Sequence, residues 1–136
     1  MDSDTKPFDL MGCEDTTSGE YRVRHPISRA PTGMVVQLAG PEHPTRKSLL
    51  HARQRRMRAE IVQTGGKMPV LDPEAEEADE VDRLVACTLG WSGCATAYSP
   101  AAARAFYSDS KRRWFRDQVA AALEERELFT RASEAS

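Results

Sequence analysis

Polar and apolar residues alternate twice near the start of this chain, and after that the apolar positions recur at helical spacing. Tyr21, Val23, His25 and Ile27 are separated by Arg22, Arg24 and Pro26, a period-2 pattern that predicts a strand with one face available for burial. Met34, Val36 and Leu38 repeat the alternation after the turn-forming stretch Ser28 to Gly33, so residues 20–39 are expected to form a β-hairpin. Pro26 has no backbone N–H and suits the edge or end of a strand. An isolated hairpin is marginal in water, so this one must pack on the helices that follow or accept a strand from another subunit. Tyr21, Val23 and Ile27 define the edge where such strand addition would occur.

Residues 42–131 read as helical. Thr45 is a suitable N-cap for a helix reaching about Gln63, with Leu49, Leu50, Met57 and Ile61 on its apolar face and Gly65-Gly66 closing it. Asp72 and Pro73 open a second helix whose first turns are acidic, and Val81, Leu84, Val85 and Leu89 supply its apolar stripe up to Gly90. The segment Gly90-Trp91-Ser92-Gly93 is expected to be a turn whose indole packs back on the core. Ser99-Pro100 opens a short helix to Tyr107. Asp109 or Ser110 caps the last helix, whose apolar face is Trp114, Phe115, Val119, Ala122 and Leu123. The expected fold is α+β and mostly helical: an N-terminal β-hairpin, then about four α-helices, forming a single domain over residues 20–131. Residues 1–19, polar apart from Phe8, Leu10 and Met11, are expected to be a flexible arm, and residues 132–136 a frayed tail.

With 136 residues and 40% hydrophobic content, one domain with tails is the natural size class and a large two-domain enzyme is excluded. The charges nearly cancel, 19 basic against 21 acidic, so the whole-chain balance calls for neither nucleic acid nor a membrane surface. Placement of the charges says more. Arg46, Lys47, Arg53, Arg55, Arg56 and Arg58 crowd the first helix, while Glu74, Glu76, Glu77, Asp79, Glu80 and Asp82 open the second. Folded as an antiparallel pair, the two helices would set Arg58 level with Asp79 and Arg55 level with Asp82, pairs that orient more than they stabilise. Left unpaired, Arg55, Arg56 and Arg58 would be charge contacts for an acidic protein surface or a nucleic acid.

Candidate chemistry is sparse. Cys13, Cys87 and Cys94 match neither a disulfide framework nor a Cys-x-x-Cys pair and read as reduced, with Cys87 packed on a helix face. His43 and His51 lie eight apart, not at the i, i+4 spacing of a helical zinc pair. No glycine-rich phosphate loop and no nucleophile-elbow motif occurs, so the expectation is a non-enzymatic protein without cofactor or metal. No apolar run approaches the roughly 20 residues needed to span a bilayer, and the acidic start, Met1 to Thr5, is unlike a signal peptide. A soluble, cytosolic protein is expected.

Taken in order, these segments resemble the small tail assembly chaperones of long-tailed bacteriophages. The resemblance is carried by Ala39-Gly40-Pro41-Glu42-His43-Pro44 after a hairpin, by an Arg-rich helix, and by an acidic helix ending in Cys87-Thr88-Leu89-Gly90-Trp91. It continues through Tyr98-Ser99-Pro100-Ala101-Ala102-Ala103-Arg104 and Trp114-Phe115-Arg116-Asp117-Gln118-Val119, covering most of Tyr21 to Arg131. It implies stoichiometric binding of the tape-measure protein, with the major tail-tube protein as a further partner, in the cytoplasm of a bacterial host and absent from the finished particle. Phe106, Trp114, Phe115, Val119 and Leu123 are the candidate partner-binding residues, and self-association through the hairpin edge is a second route. The alternatives are a minor tail or head–tail connector component of the virion and a small nucleic-acid-binding protein using the Arg-rich helix.

Overall fold

The alternating segments do form a hairpin, and it is one part of a larger sheet. The computed structural model describes residues 7–67 and 72–132. Its elements in chain order are β1 (Cys13–Asp15), β2 (Ser18–Arg24), β3 (Pro31–Ala39), α1 (Pro44–Gln63), α2 (Pro73–Cys87), β4 (Thr88–Ser92), α3 (Pro100–Ser108), α4 (Arg113–Leu123) and β5 (Thr130–Ala132). Short 3-10 turns at Leu10–Gly12, Ser110–Arg112 and Arg126–Phe129 complete the set. The fold is α+β and mostly helical, as expected.

β2 and β3 pair antiparallel with Tyr21 opposite Val36, and a register shift lies between Arg22 and Arg24. β4 adds to the other side of β3, with Val36 opposite Trp91 and Leu38 opposite Thr88. The second helix therefore ends at Cys87 rather than at Gly90, and the expected Gly-Trp-Ser-Gly turn is mostly strand. The reason is nonlocal: without β4, the inner edge of β3 would carry buried, unpaired backbone groups. The switch falls at Thr88, a β-branched residue whose hydroxyl donates to the Leu84 carbonyl (2.7 Å) and lies 2.8 Å from the Tyr107 hydroxyl. Leu89, expected on the helix stripe, is partly exposed at 38% and lies outside the core.

The polar segment before Tyr21 also departs from expectation in its described part. β1 pairs antiparallel with β5, Glu14 opposite Arg131, and the Thr16 N–H donates to the Phe129 carbonyl at 2.7 Å. Ser18 and Gly19 already belong to β2. These residues have no apolar period because backbone hydrogen bonds, not side-chain burial, place them. Gly19 is required by close approach: a Cβ there would collide with the Leu128 carbonyl oxygen. Ala132, expected in a frayed tail, pairs with Cys13. The remaining tail residues 133–136, the arm residues 1–6 and the interhelical loop residues 68–71 lie outside the described residues.

α2, α3 and α4 cover one face of the three-stranded sheet. Val23, Val36, Leu38 and Ala39 from the sheet meet Val81, Leu84, Cys87, Ala103, Tyr107, Phe115, Val119, Ala122, Leu123 and Phe129 in one core. Tyr107 and Phe115 stack nearly parallel at its centre, 5.4 Å between ring centroids and 7° between planes. Burial pushes the Tyr107 hydroxyl up to about 12, against the pull of its Thr88 hydrogen bond, so it stays protonated and neutral in the core.

Local signals set the helix starts. Pro73 and Pro100 occupy first-turn positions, and the Ser99 side chain accepts from the Ala102 N–H at 3.0 Å. α1 begins one residue before Thr45, at Pro44, with the His43 Nδ1 accepting from the Thr45 N–H at 3.1 Å. Asp109 caps the turn before α4, accepting from the Lys111 N–H, and this contact first, then Arg112, holds its carboxyl below the usual range. The basic start of α4 is answered inside the molecule: Arg112 pairs with Asp109, and Arg116 reaches Glu77 at 3.0 Å.

Candidate functional site

α1 is the anomaly of the fold. It is the longest helix, 20 residues, and not one of them is buried. A helix built to seat on a core carries apolar residues at i, i+3, i+4 and i+7. Here the positions three and four after Leu50 are Arg53 and Gln54, and the stripe resumes only at Met57 and Ile61. α1 is tied to the body near its start, where the Arg46 guanidinium donates to the Ala39 and Leu123 carbonyls at 3.2 and 3.0 Å and lies over the Phe129 ring. Beyond that anchor, a groove of about 760 Å3 runs between α1 and α2.

The groove is lined by apolar side chains and by charged ones of mostly opposite sign on its two helices, which form its walls. Leu49, Leu50 and Met57 from α1 and Cys87 from α2 line it, with Leu50 54% exposed. Arg53 and Arg56 stand on the α1 wall, joined by Glu60 toward the helix end. Glu76, Asp79, Glu80 and Asp82 stand on the α2 wall with Arg83. α1 and α2 do run side by side and antiparallel, since Arg46 near the start of α1 acts on Cys87 at the end of α2, and Arg53 further along acts on Glu80 further back. The expected interhelical pairs, Arg58 with Asp79 and Arg55 with Asp82, do not form among the described residues: it is Arg53 that acts on Glu80, and Arg55 and Arg58 do not line the groove. Asp82 instead meets Arg104 of α3 at 2.8 Å, and none of the ion pairs among the described residues uses Arg53, Arg55, Arg56 or Arg58.

Glu80 and Arg83 form the strongest pair on the wall. The guanidinium donates twice, Nε to Oε2 at 3.1 Å and Nη2 to Oε1 at 2.8 Å. That hydrogen bonding holds the Glu80 carboxyl below its ordinary 4.5 against an opposing effect of burial, with Arg53 across the groove contributing a smaller pull. A carboxyl depressed on folding adds stability that is fully present above the unfolded value and is lost as pH falls through the folded one. The Glu80→Gln variant is therefore expected to lose less stability than the parent on acidification below 4.5. Urea midpoints measured between about pH 3 and pH 7 would test this, and parallel curves for the two proteins would reject it.

The residues predicted to bind a partner are divided by the fold. Phe115, Val119 and Leu123 lie in the core at 4%, 0% and 1% exposure, so the amphipathic face of α4 is spent on packing. Phe106 is half-buried between the Trp91 and Phe115 rings. Trp114 is the exposed member of the set at 37%, its ring set edge-on to Phe115. Trp91 is the indole that packs, with Nε1 donating to the Thr96 carbonyl at 2.9 Å and an edge-on contact to Tyr98.

The predicted strand-addition edge is also changed. Val23 is in the core, and Ile27 lies beyond the end of β2 in the turn, 87% exposed. The edge backbone at Arg24 is already occupied: Gln118 of α4 accepts from its N–H at 3.1 Å and donates to its carbonyl at 2.8 Å, as a strand residue would. The Tyr21 hydroxyl donates to the same Gln118 oxygen at 2.9 Å. Burial first, then Glu125, raises the Tyr21 hydroxyl above its usual value. Gln118→Ala is expected to cost about 1–3 kcal/mol and to speed hydrogen exchange of the Arg24 amide. An unchanged exchange rate would show that the clamp does not protect this edge.

Other chemistry is limited. All three cysteines are free, and burial pushes the Cys87 thiol up, away from reactivity. Among the described residues, no group of three or more His, Cys, Asp or Glu could hold a metal ion. No helix among them is long and apolar enough to cross a membrane. Set against family models, curated proteins and solved structures, the chain matches none of them. The groove beside α1 is thus the feature that any functional reading has to explain. Its apolar residues are visible in the sequence as a stripe, but the interruption at Arg53 and Gln54 is the signal that beyond Leu49, which packs against the core, the stripe does not seat on it.

Proposed function

We propose that this protein is a non-catalytic tail assembly chaperone of a long-tailed bacteriophage, binding a helical segment of the tape-measure protein in the host cytoplasm. The observation that carries the reading is α1: a 20-residue helix with no buried residue, anchored at one end and lining a groove with its own apolar side chains. Such a groove suits helix-in-groove recognition, in which a partner helix lays its apolar face between two receptor helices. The resemblance of the ordered segments from Tyr21 to Arg131 supplies the biological setting. A long apolar tape-measure rod would aggregate before tube subunits cover it, and many copies along the rod would act by avidity rather than by tight single sites.

The test is co-expression with a tape-measure protein from the same genome. Soluble tape-measure protein that co-purifies with this chain, together with absence of the chain from purified particles, is the expected outcome. Stoichiometric amounts in mature particles would overturn it in favour of a minor tail or connector component. One observation favours a second reading: Arg55, Arg56 and Arg58 are exposed and make no ion pair among the described residues, as a phosphate-binding helix would require. Titration with DNA and RNA at low salt separates the two, since a nucleic-acid binder loses affinity steeply as salt rises.

A further inference from the structure

The two groove walls differ in charge, and their charges are not consumed alike. On the α2 wall Glu80 is held by Arg83 and Asp82 by Arg104. Glu76 and Asp79 line the same wall and make no ion pair among the described residues. On the α1 wall Arg46 is spent on two carbonyls, while Arg53 and Arg56 make no ion pair among the described residues. Glu76 and Asp79 on α2 and Arg53 and Arg56 on α1 therefore line one groove with no ion pair between them among the described residues, and Glu60 joins the α1 side only near the helix end.

We propose that this groove selects a partner helix whose apolar stripe has carboxylates along one flank and basic side chains along the other, and that this segregation sets the direction in which the helix lies. The inference rests on the helix-binding reading given above and deepens it. A helix seated on Leu49, Leu50 and Met57 presents one flank to Arg53 and Arg56 and the other to Glu76 and Asp79. Acidic residues on the first flank and basic residues on the second are attracted on both sides. Turning the helix end for end exchanges its flanks and opposes like charges on both sides. Leu49 to Met57 spans about 12 Å of helix at 1.5 Å per residue, so roughly two to three turns of the partner are read.

The same charges argue against other occupants. A second copy's α1 would bring its own arginines against Arg53 and Arg56, since that helix carries basic residues on both sides of its stripe. A second copy's α2 has its apolar face, Val81 and Leu84, already buried. A nucleic acid would meet Glu76 and Asp79. Rim charges of this kind act on selectivity and orientation more than on total affinity.

The test uses the full chain and four labelled helical peptides of one length with a common apolar stripe. Two have segregated flanks, glutamate on one side and lysine on the other, and are mirror arrangements of each other. One has glutamate on both flanks and one has lysine on both. By fluorescence anisotropy at low ionic strength, both segregated peptides are expected to bind about tenfold more tightly than either uniform peptide, with the gap shrinking as salt is added. With a nitroxide on the peptide N-terminus, the two segregated peptides should broaden amide signals at opposite ends of α1. In the R53E/R56E variant, whose substitutions are at exposed positions, the lysine-flanked peptide should become the preferred ligand. Equal affinities for all four peptides, no binding by any, or one common direction for both segregated peptides would overturn the proposal. Failure of the tape-measure protein to co-purify while segregated peptides bind selectively would reject the chaperone reading and leave this one standing. Retention of tape-measure binding with charge-blind peptides would do the reverse.

Discussion

Phe115→Ala is expected to lower the melting temperature by more than about 10 °C, because an aromatic removed from a closed core costs about 3–5 kcal/mol. Phe115 is 4% exposed, stacks on Tyr107 and touches the edges of Phe106 and Trp114. The substitution removes the Tyr107 stack itself, and Tyr107 is held by its hydroxyl contact to Thr88 and cannot swing in to fill the space, so the cavity term adds to the lost transfer energy. A domain of this size has of order 10 kcal/mol in total, and the loss is a large fraction of it. Trp114→Ala, one residue away, is the internal control. That indole is 37% exposed and is expected to cost no more than about 1 kcal/mol. Thermal melts of the two variants decide the matter. A Phe115→Ala protein that melts like the parent but no longer holds its partner would show that this ring is a contact and not a core residue.

The Leu50→Asp/Met57→Asp double variant is expected to behave in the opposite way. Leu50 is 54% exposed and Met57 half-buried, and both line the groove without entering the core. Stability should change by no more than about 1 kcal/mol, since α1 buries nothing that the substitutions expose. Partner binding should fall by at least about 30-fold, the effect of removing a central apolar anchor and placing carboxylates in its position. Melting curves paired with pull-down of the tape-measure protein read both quantities on one sample. Undiminished capture of the partner would move the binding surface away from α1.

These contrasting outcomes follow from information that is unevenly distributed along the sequence. The starts of α2 and α3 are legible because Asp72-Pro73 and Ser99-Pro100 act within one helical turn. The β2–β3 hairpin is legible because alternation at Tyr21, Val23, Val36 and Leu38 is a two-residue period visible in either strand alone. β4 is not, because Thr88 to Ser92 follows an apolar helical stripe without a break, and only the unpaired side of β3 decides that it is a strand. β1 and β5 are invisible for a related reason. Their pairing joins residues more than a hundred positions apart through the backbone, which carries no side-chain signature.

The candidate site divides along the same line. The amphipathic stripes of α1 and α4 look alike as lists of apolar residues, and the sequence favours α4, with its two large aromatics, as a working surface. In the fold α4 closes on the sheet, and its Gln118 fastens the β2 edge. The sequence by itself determined the class of the fold, the starts of α2 and α3, the hairpin and the opposite charges of α1 and α2, all consequences of short-range sterics, capping and period. Only the tertiary structure decided which stripe is buried and which charges stay unpaired. Both depend on which helices occupy the packed sheet face, and that face is filled by α2, α3 and α4, leaving α1 beside an open groove.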